Sequence, residues 1–268
     1  MKTKKLEKGT IQRKNVLHDD AAMSFQCRPG LPCFTKCCSD VNIFLTPYDI
    51  LRMKNCLKIS SAEFLARHTR TLIPQSTGLP VIQLKMNQGQ DRRCPFVQDD
   101  GCRIYVDRPW ACRMYPLDRE EDGSGYTLMV APEVCHGQIE QRTWTVKEWL
   151  CDQGLDPYEE MGERFNTMMQ NARFAKEGIT NPRLQDMYRM ACYDLDTFRR
   201  FVFETRFLSI FDLEADVIDL IRTDDEALLL LALRWVQFGF SAGDVLPIKE
   251  EVIKARMAEM EGKKSQPD

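Results

Sequence analysis

The feature that most constrains this chain is a set of closely spaced cysteines in its N-terminal half. Four fall within twelve residues, and four of the five cysteines that follow before residue 140 complete the set. They are Cys27, Cys33, Cys37, Cys38, Cys94, Cys102, Cys112 and Cys135. Thiolates are ligands for zinc and for iron–sulfur clusters, and loops rich in Gly and Pro let distant thiols converge on one ion. The pattern therefore predicts a metal centre in this half of the chain.

The expected compartment decides how the cysteines are interpreted. The basic N-terminal residues are not followed by the apolar stretch of a secretory signal. We therefore expect a cytoplasmic protein whose thiols stay reduced, and eleven cysteines in that setting indicate metal binding or catalysis rather than a disulfide framework.

Charge and hydropathy limit the partners. A net charge of -3 gives no overall field that would attract nucleic acid or an anionic membrane. The most apolar run, Ala227 to Leu233, is far shorter than the roughly 20 residues of a spanning helix, so it predicts a buried core helix. We expect no membrane and no nucleic-acid partner, and an unidentified protein partner could use the helical region.

The distribution of cysteines predicts four segments. These are a basic flexible arm (1–20), a cysteine-cluster metal-binding domain (21–140), a helical region (141–262) and a tail (263–268). The predicted fold class is α+β, mostly α, with a small, irregular cysteine-rich α/β module followed by the helical C-terminal region.

Local signals place the elements. Thr46-Pro47-Tyr48-Asp49 predicts the start of a helix over 47–57, and the capping-box spacing from Ser60 predicts another after it. Residues 81–86 predict a strand, and turn signals at 99–101 and 122–125 predict hairpins. Apolar residues at three- and four-residue steps predict helices over 158–172 and 184–202, and further helices are expected over 224–240 and 247–261.

The metal is less defined than the ligands. Only the step from Cys33 to Cys37 has the spacing of paired zinc ligands, and Cys38 follows directly. Neighbouring side chains point apart, so Cys37 and Cys38 would more easily serve two atoms of a cluster, or two sites, than one tetrahedral ion. This slightly favours an iron–sulfur cluster over zinc. Eight thiolates suffice for two four-cysteine sites, or for one site with structural cysteines to spare.

Arginines bracket two of these cysteines. Arg103, Arg108 and Arg113 flank Cys102 and Cys112, and guanidinium groups near thiolate sulfur would offset its charge and tune a redox potential. Arg108 and Arg113 are therefore candidate cofactor-binding residues. The alternative is that the arginines pair with surface carboxylates, for which the candidates are Asp107, Asp118 and Glu120.

Other thiols and imidazoles have simpler explanations. Cys56, Cys151 and Cys192 lie on predicted helices beside apolar residues, where free cysteine packs as a small hydrophobe. His136 follows Cys135 and could bind metal, although a surface histidine explains it equally simply.

Two blocks of residues carry a family resemblance. The first runs from Cys33-x3-Cys37-Cys38 to Leu45-Thr46-Pro47-x-Asp49-x-x-Arg52. The second runs from Cys94-Pro-Phe through Gly101-Cys102-x-Ile104-Tyr105 to Arg108-Pro109-x-x-Cys112-Arg113-x-Tyr115-Pro116. Over about residues 25–137 the chain resembles the bacterial cysteine-cluster family called YkgJ-like, described as chelating zinc or iron. The resemblance implies a metal-chelating module whose ligands are the eight cysteines named above.

The resemblance does not imply a reaction, and three functions stay open. The first is a metal-chelating protein whose iron–sulfur cluster or zinc organises the N-terminal half. Relatives occur in flagellin lysine N-methylases, so the second is a cluster-containing enzyme, either methylase-like or redox. The third is a structural zinc scaffold for protein contacts.

Overall fold

The computed structural model describes residues 15–171, 181–240 and 245–264. Most of the predicted basic arm (1–20) and of the predicted tail (263–268) lies outside these residues. The helices that it describes are, in chain order, α1 (Pro47–Leu57), α2 (Ser61–His68), α3 (Trp110–Met114), α4 (Val146–Asp152), α5 (Asp156–Asn171), α6 (Pro182–Tyr193), α7 (Leu195–Glu204), α8 (Phe207–Ile210), α9 (Ala215–Leu220), α10 (Asp225–Phe240) and α11 (Glu250–Lys264). The strands are β1 (Ala22–Ser24), β2 (Phe44–Leu45), β3 (Thr69–Leu72), β4 (Val81–Leu84), β5 (Val97–Gln98), β6 (Gly101–Cys102), β7 (Leu117–Arg119), β8 (Tyr126–Leu128) and β9 (Thr143–Thr145).

Contacts divide the chain into two units, each built from two segments. Unit 1 comprises Met1–Phe34 and Arg113–Gly154, and unit 2 comprises Thr35–Cys112 and Leu155–Asp268. The predicted domains 21–140 and 141–262 are consecutive, whereas both units are discontinuous in sequence. The predicted domain boundaries near residues 20, 140 and 262 stay a prediction. The predicted fold class is confirmed, because helices predominate over small sheets and the C-terminal region is helical.

Unit 1 is held together by two small antiparallel sheets. β1 pairs with β9 in the register Ala22 to Thr145, and β7 pairs with β8 through the predicted turn at 122–125. Gly125 in that turn has a φ of +149°, and a Cβ there would collide with the carbonyl oxygen of Leu17. The bridge between Leu17 and Tyr126 therefore requires glycine at this position.

The core of unit 1 surrounds α4. The Phe25 and Trp149 rings pack edge to face with centroids 4.9 Å apart, and the Trp144 indole donates to the Phe25 carbonyl at 2.8 Å. Thr145 and Glu148 form a capping box at the start of α4, which satisfies two backbone N–H groups of its first turn. The aromatic contacts and the cap together fix the helix against β1 and β9.

Unit 2 begins with a three-stranded antiparallel sheet in the order β2-β4-β3 and a short β5-β6 hairpin. The sheet pairs Leu45 with Ile82 and Thr71 with Ile82. α1 begins where β2 ends, because Thr46 and Asp49 form a capping box and Pro47 occupies the first helical turn. The predicted helix over 47–57 is confirmed to the residue.

The helices of unit 2 pack around α10. This helix contacts α1, α5, α6, α7 and α9. Most of its buried residues lie in the apolar run at 227–233, and Trp235 and Val236 extend the buried face beyond it. Phe198 and Phe201 of α7 pack against Trp235 of α10, with ring centroids 5.6 and 5.1 Å apart. The prediction that the apolar run forms a buried core helix is confirmed. Within the three described ranges, no helix is both long enough and apolar enough to cross a bilayer.

Two local predictions differ from the structure. The periodicity over 184–202 belongs to two helices, α6 and α7, which are separated at Asp194. The hairpin at 99–101 is shorter than predicted, since it pairs Val97 with Cys102 and then gives way to a 3-10 turn at Tyr105–Asp107. Pro109 favours extended backbone at Arg108, which ends that turn.

Candidate metal centre

The first pair of candidate ligands in unit 2 lies on a tight turn. Lys36–Cys38 forms a 3-10 turn in which the Cys38 N–H donates to the Thr35 carbonyl at 3.0 Å. The Cys94 N–H donates to the Cys38 carbonyl at 2.7 Å. Cysteines that are distant in sequence are therefore joined through their backbones.

The next two candidates are placed by the β5-β6 hairpin and by α3. The Val97 N–H donates to the Cys94 carbonyl at 3.2 Å, and Val97 pairs with Cys102 across the hairpin. Cys112 lies in α3, where its N–H donates to the Pro109 carbonyl at 2.9 Å. Short local connections therefore hold both cysteines in ordered backbone.

The thiols of unit 2 influence one another. A hydrogen bond from Cys38 lowers the pKa of Cys37 to about 7 and raises the pKa of Cys38. Negative charge on Cys94 or Cys112 further raises the pKa of Cys38. Burial, followed by charge on Cys94 and Cys102, raises the pKa of Cys112. Unit 2 therefore brings together Cys37, Cys38, Cys94, Cys102 and Cys112.

Unit 1 holds the other three candidate ligands. The His136 N–H donates to the Cys33 sulfur at 3.3 Å, which brings Cys33 beside the Cys135-His136 segment. The Gln26 N–H donates to the Gly137 carbonyl at 2.9 Å, so the residue before Cys27 lies along the same segment. Cys135 is buried, Cys33 half-buried and Cys27 exposed.

The candidate arginines have different surroundings. Arg108 stacks on the Tyr105 ring, 3.9 Å from its centroid, and donates to the Tyr105 carbonyl at 2.6 Å. Its charge and that of Arg103 act to lower the pKa of Cys102, although burial outweighs them and the pKa is raised. Arg113 is buried in unit 1 and donates to the Gln153 carbonyl at 2.6 Å. Asp107, a predicted surface partner for these arginines, accepts hydrogen bonds from Arg52 at 2.7 and 2.9 Å. A cofactor-binding role for Arg108 and Arg113 stays a prediction.

The donor set suits zinc or iron. In the part of the chain that the structure describes, no three or more Cys, His, Asp or Glu side chains are arranged as a formed metal site. The five thiols of unit 2 nevertheless have the soft sulfur donors that zinc and iron take, and burial keeps the pKa values of Cys94, Cys102 and Cys112 high. A bound cation deprotonates a coordinating thiol, so loading the site would release protons.

Cys56 lies closer to this group than the sequence prediction assumed. Burial raises its pKa, and so do the Asp107 carboxylate and the charge of Cys102. Helical periodicity could have indicated that Cys56 faces the same side of α1 as Asp49 and Arg52, because the three residues recur at three- and four-residue steps. Cys192 is buried in the core as expected, whereas Cys151 is exposed on α4.

The histidines are accounted for in part by packing. His68 lies between the rings of Phe64 and Phe96, with centroids 5.5 and 5.0 Å away. Burial lowers the pKa of His68, as expected for a neutral ring packed against aromatic neighbours.

Comparison with known proteins adds one finding. Residues 26–151 match the model of the family CxxCxxCC, described as "Putative zinc- or iron-chelating domain". No curated protein and no solved structure matches the chain. The matched region contains the eight candidate ligands in both units and extends past the resemblance seen at about 25–137. Residues 26–151, just under half of the chain, are therefore similar to the CxxCxxCC family.

Proposed function

We propose that this protein binds zinc or iron through Cys37, Cys38, Cys94, Cys102 and Cys112 of unit 2. The observation that carries the proposal is that backbone contacts join separate stretches of chain that bear these thiols. The Cys94 N–H donates to the Cys38 carbonyl at 2.7 Å, and Cys102 pairs with Val97, three residues after Cys94. Like charges on neighbouring sulfurs are unfavourable without a cation, and metal binding relieves that repulsion. The family description points to the same chemistry.

An iron–sulfur cluster is the form of metal that we favour. Cys37 and Cys38 are adjacent in sequence, and each shifts the pKa of the other. Two iron atoms of a cluster would accept adjacent thiolates more readily than one tetrahedral zinc ion, which needs its four ligands spread evenly. Five thiols also exceed the four that a single zinc ion takes.

We further propose that Cys27, Cys33 and Cys135 form a separate group of ligands in unit 1, with His136 beside it. The contact between the His136 N–H and the Cys33 sulfur supports this grouping. The division of the eight cysteines into five and three follows the two units. No disulfide joins the eleven cysteines, all of which lie in the described residues, and this suits a protein of a reducing compartment such as the predicted cytoplasm.

The test is metal analysis with electronic spectra of protein purified without oxygen. We expect iron with sulfide and visible absorption bands, or zinc with no colour. The Cys112→Ser variant should lose the metal of unit 2, and Cys33→Ser should lose only metal that unit 1 binds. Cys151→Ser is the matched control, because this exposed thiol lies in the family region outside both groups. Wild-type protein without zinc or iron, with every thiol titratable in the native state, would refute the proposal.

A further inference from the structure

A buried carboxylate on α1 holds the helix that carries Cys112. Asp49 is 1% exposed. One of its oxygens accepts from the Thr46 N–H at 2.8 Å, within the capping box of α1. The other accepts from the Trp110 N–H at 2.7 Å. Trp110 is the first residue of α3, and Cys112 follows two residues later. The position of the Cys112 thiol therefore depends on the Asp49 carboxylate, which the capping box of α1 orients.

A guanidinium one turn further along α1 holds the segment between Cys102 and Cys112. Arg52 donates from Nε and Nη2 to one carboxylate oxygen of Asp107, at 2.9 and 2.7 Å. Asp107 ends the 3-10 turn that follows Cys102. Arg52 is itself fixed, because its Nη1 donates to the Tyr48 hydroxyl at 3.4 Å. Two side chains of α1 therefore hold the residues that connect the two thiols.

We propose that Asp49 and Arg52 are positioning residues of the metal centre, which preset Cys102 and Cys112 for the ion. This inference rests on the function proposed above. Connecting segments are mobile unless tied down, and a thiol on a mobile segment loses conformational freedom when it binds metal. Contacts that are formed before the metal arrives lower that cost. Residues that orient ligands in this way typically contribute about 10- to 100-fold in metal affinity.

The two contacts can be separated from the general stability of α1. The same helix is tied to α10 by Lys54 and Asn55, which donate to Asp225 at 2.8 and 2.9 Å. This second attachment reaches none of the candidate thiols in its hydrogen bonds. A variant of Asp225 therefore loosens α1 in the core and removes no partner of Asp49 or Arg52, since the α10 residue that Arg52 contacts is Glu226, at 3.6 Å. This variant serves as the matched control.

The experiment measures zinc affinity of the full chain by competition with a chromophoric chelator, for wild type, Asp49→Asn, Arg52→Ala, Arg52→Lys and Asp225→Asn. We expect affinity to fall by about 10- to 100-fold for Asp49→Asn and Arg52→Ala. Arg52→Lys should fall between wild type and Arg52→Ala, because an ammonium keeps the charge but loses the fork of donors. Asp225→Asn should melt at a lower temperature and bind zinc as tightly as wild type.

A second readout needs no metal. Amide hydrogen exchange over residues 105–114 of the metal-free protein should speed up in Asp49→Asn and Arg52→Ala, and stay unchanged in Asp225→Asn. If Asp49→Asn does not fold, the two variants of the half-exposed Arg52, Arg52→Ala and Arg52→Lys, still test the positioning role. Wild type that binds neither zinc nor iron would overturn the proposed function and this inference with it. Wild-type affinity in the Asp49 and Arg52 variants, or an equal loss in Asp225→Asn, would overturn the positioning role alone.

Discussion

Removing the charge of Asp225 tests how the helices of unit 2 are held together. This carboxylate accepts from Lys54 of α1 and Asn55 of α1, and also from Arg199 of α7 at 2.5 Å. Burial acts to raise its pKa, but these hydrogen bonds lower it from 3.8 to about 2. The carboxylate thus joins three helices in its ionised form.

The contribution of Asp225 to the unfolding free energy follows from its lowered pKa. At about 1.36 kcal/mol per pKa unit, a fall from 3.8 to about 2 corresponds to about 2.4 kcal/mol of unfolding free energy at pH 7. The side chains of Asp225 and Arg199 are 15% and 24% exposed, and solvent screening lowers the expected contribution to about 1 to 2 kcal/mol. Because folding favours the ionised form, this stabilisation is present above pH 3.8 and is lost as the pH falls towards 2.

The assay is urea unfolding of Asp225→Asn and wild type at pH 7, 5 and 3, followed by far-ultraviolet circular dichroism. Asparagine keeps the size of the side chain and removes its charge. We expect a difference of about 1 to 2 kcal/mol at pH 7 that falls to about half at pH 3. Asp219→Asn is the control, since this aspartate is 83% exposed and its contact with Arg222 is 3.9 Å long, so its loss should change little. Coincident unfolding curves at pH 7, or a difference that does not shrink at pH 3, would contradict this account of Asp225.

Three further substitutions test separate parts of the structure by the same unfolding assay. Leu229→Ala in α10 removes a side chain that is 1% exposed and should cost about 2 to 5 kcal/mol, whereas the 51% exposed Leu220 should tolerate alanine within about 0.5 kcal/mol; equal costs would contradict the burial of α10. Cys192→Ala should lower stability through lost core packing and leave the metal content unchanged, and a loss of metal would contradict its structural role. Thr46→Ala should cost about 1 kcal/mol by removing the cap of α1, and an unchanged unfolding midpoint would count against that cap.

Local chemistry explains what the sequence predicted well. The Thr46-Pro47-Asp49 pattern defines α1 because the cap and the first-turn proline act within four residues. The apolar run at 227–233 likewise predicts burial from composition alone. Both features depend on neighbours in sequence, so no long-range contact was needed to find them.

Long-range contacts determine the features that could not be predicted from the sequence. Periodicity continued across Asp194, where α6 ends and α7 begins, because both helices bury one face in the same core. The grouping of Cys94 with Cys38 depends on a backbone hydrogen bond between distant segments, and that of Cys56 with Asp107 on the packing of α1. Spacing between cysteines names the candidate ligands, but it does not say which of them meet.

The pairing of β1 with β9 has a consequence for synthesis of the chain. Ala22 finds its partner only at Thr145, so unit 1 cannot close until residue 145 has left the ribosome. Unit 2 has the same dependence, because α1 packs against α5, α6 and α10. The cysteine-bearing stretch at 35–112 is therefore made well before the helices that enclose its hydrophobic side. During that interval the cysteines of the stretch, the candidate metal ligands among them, lack the helices that later pack against α1.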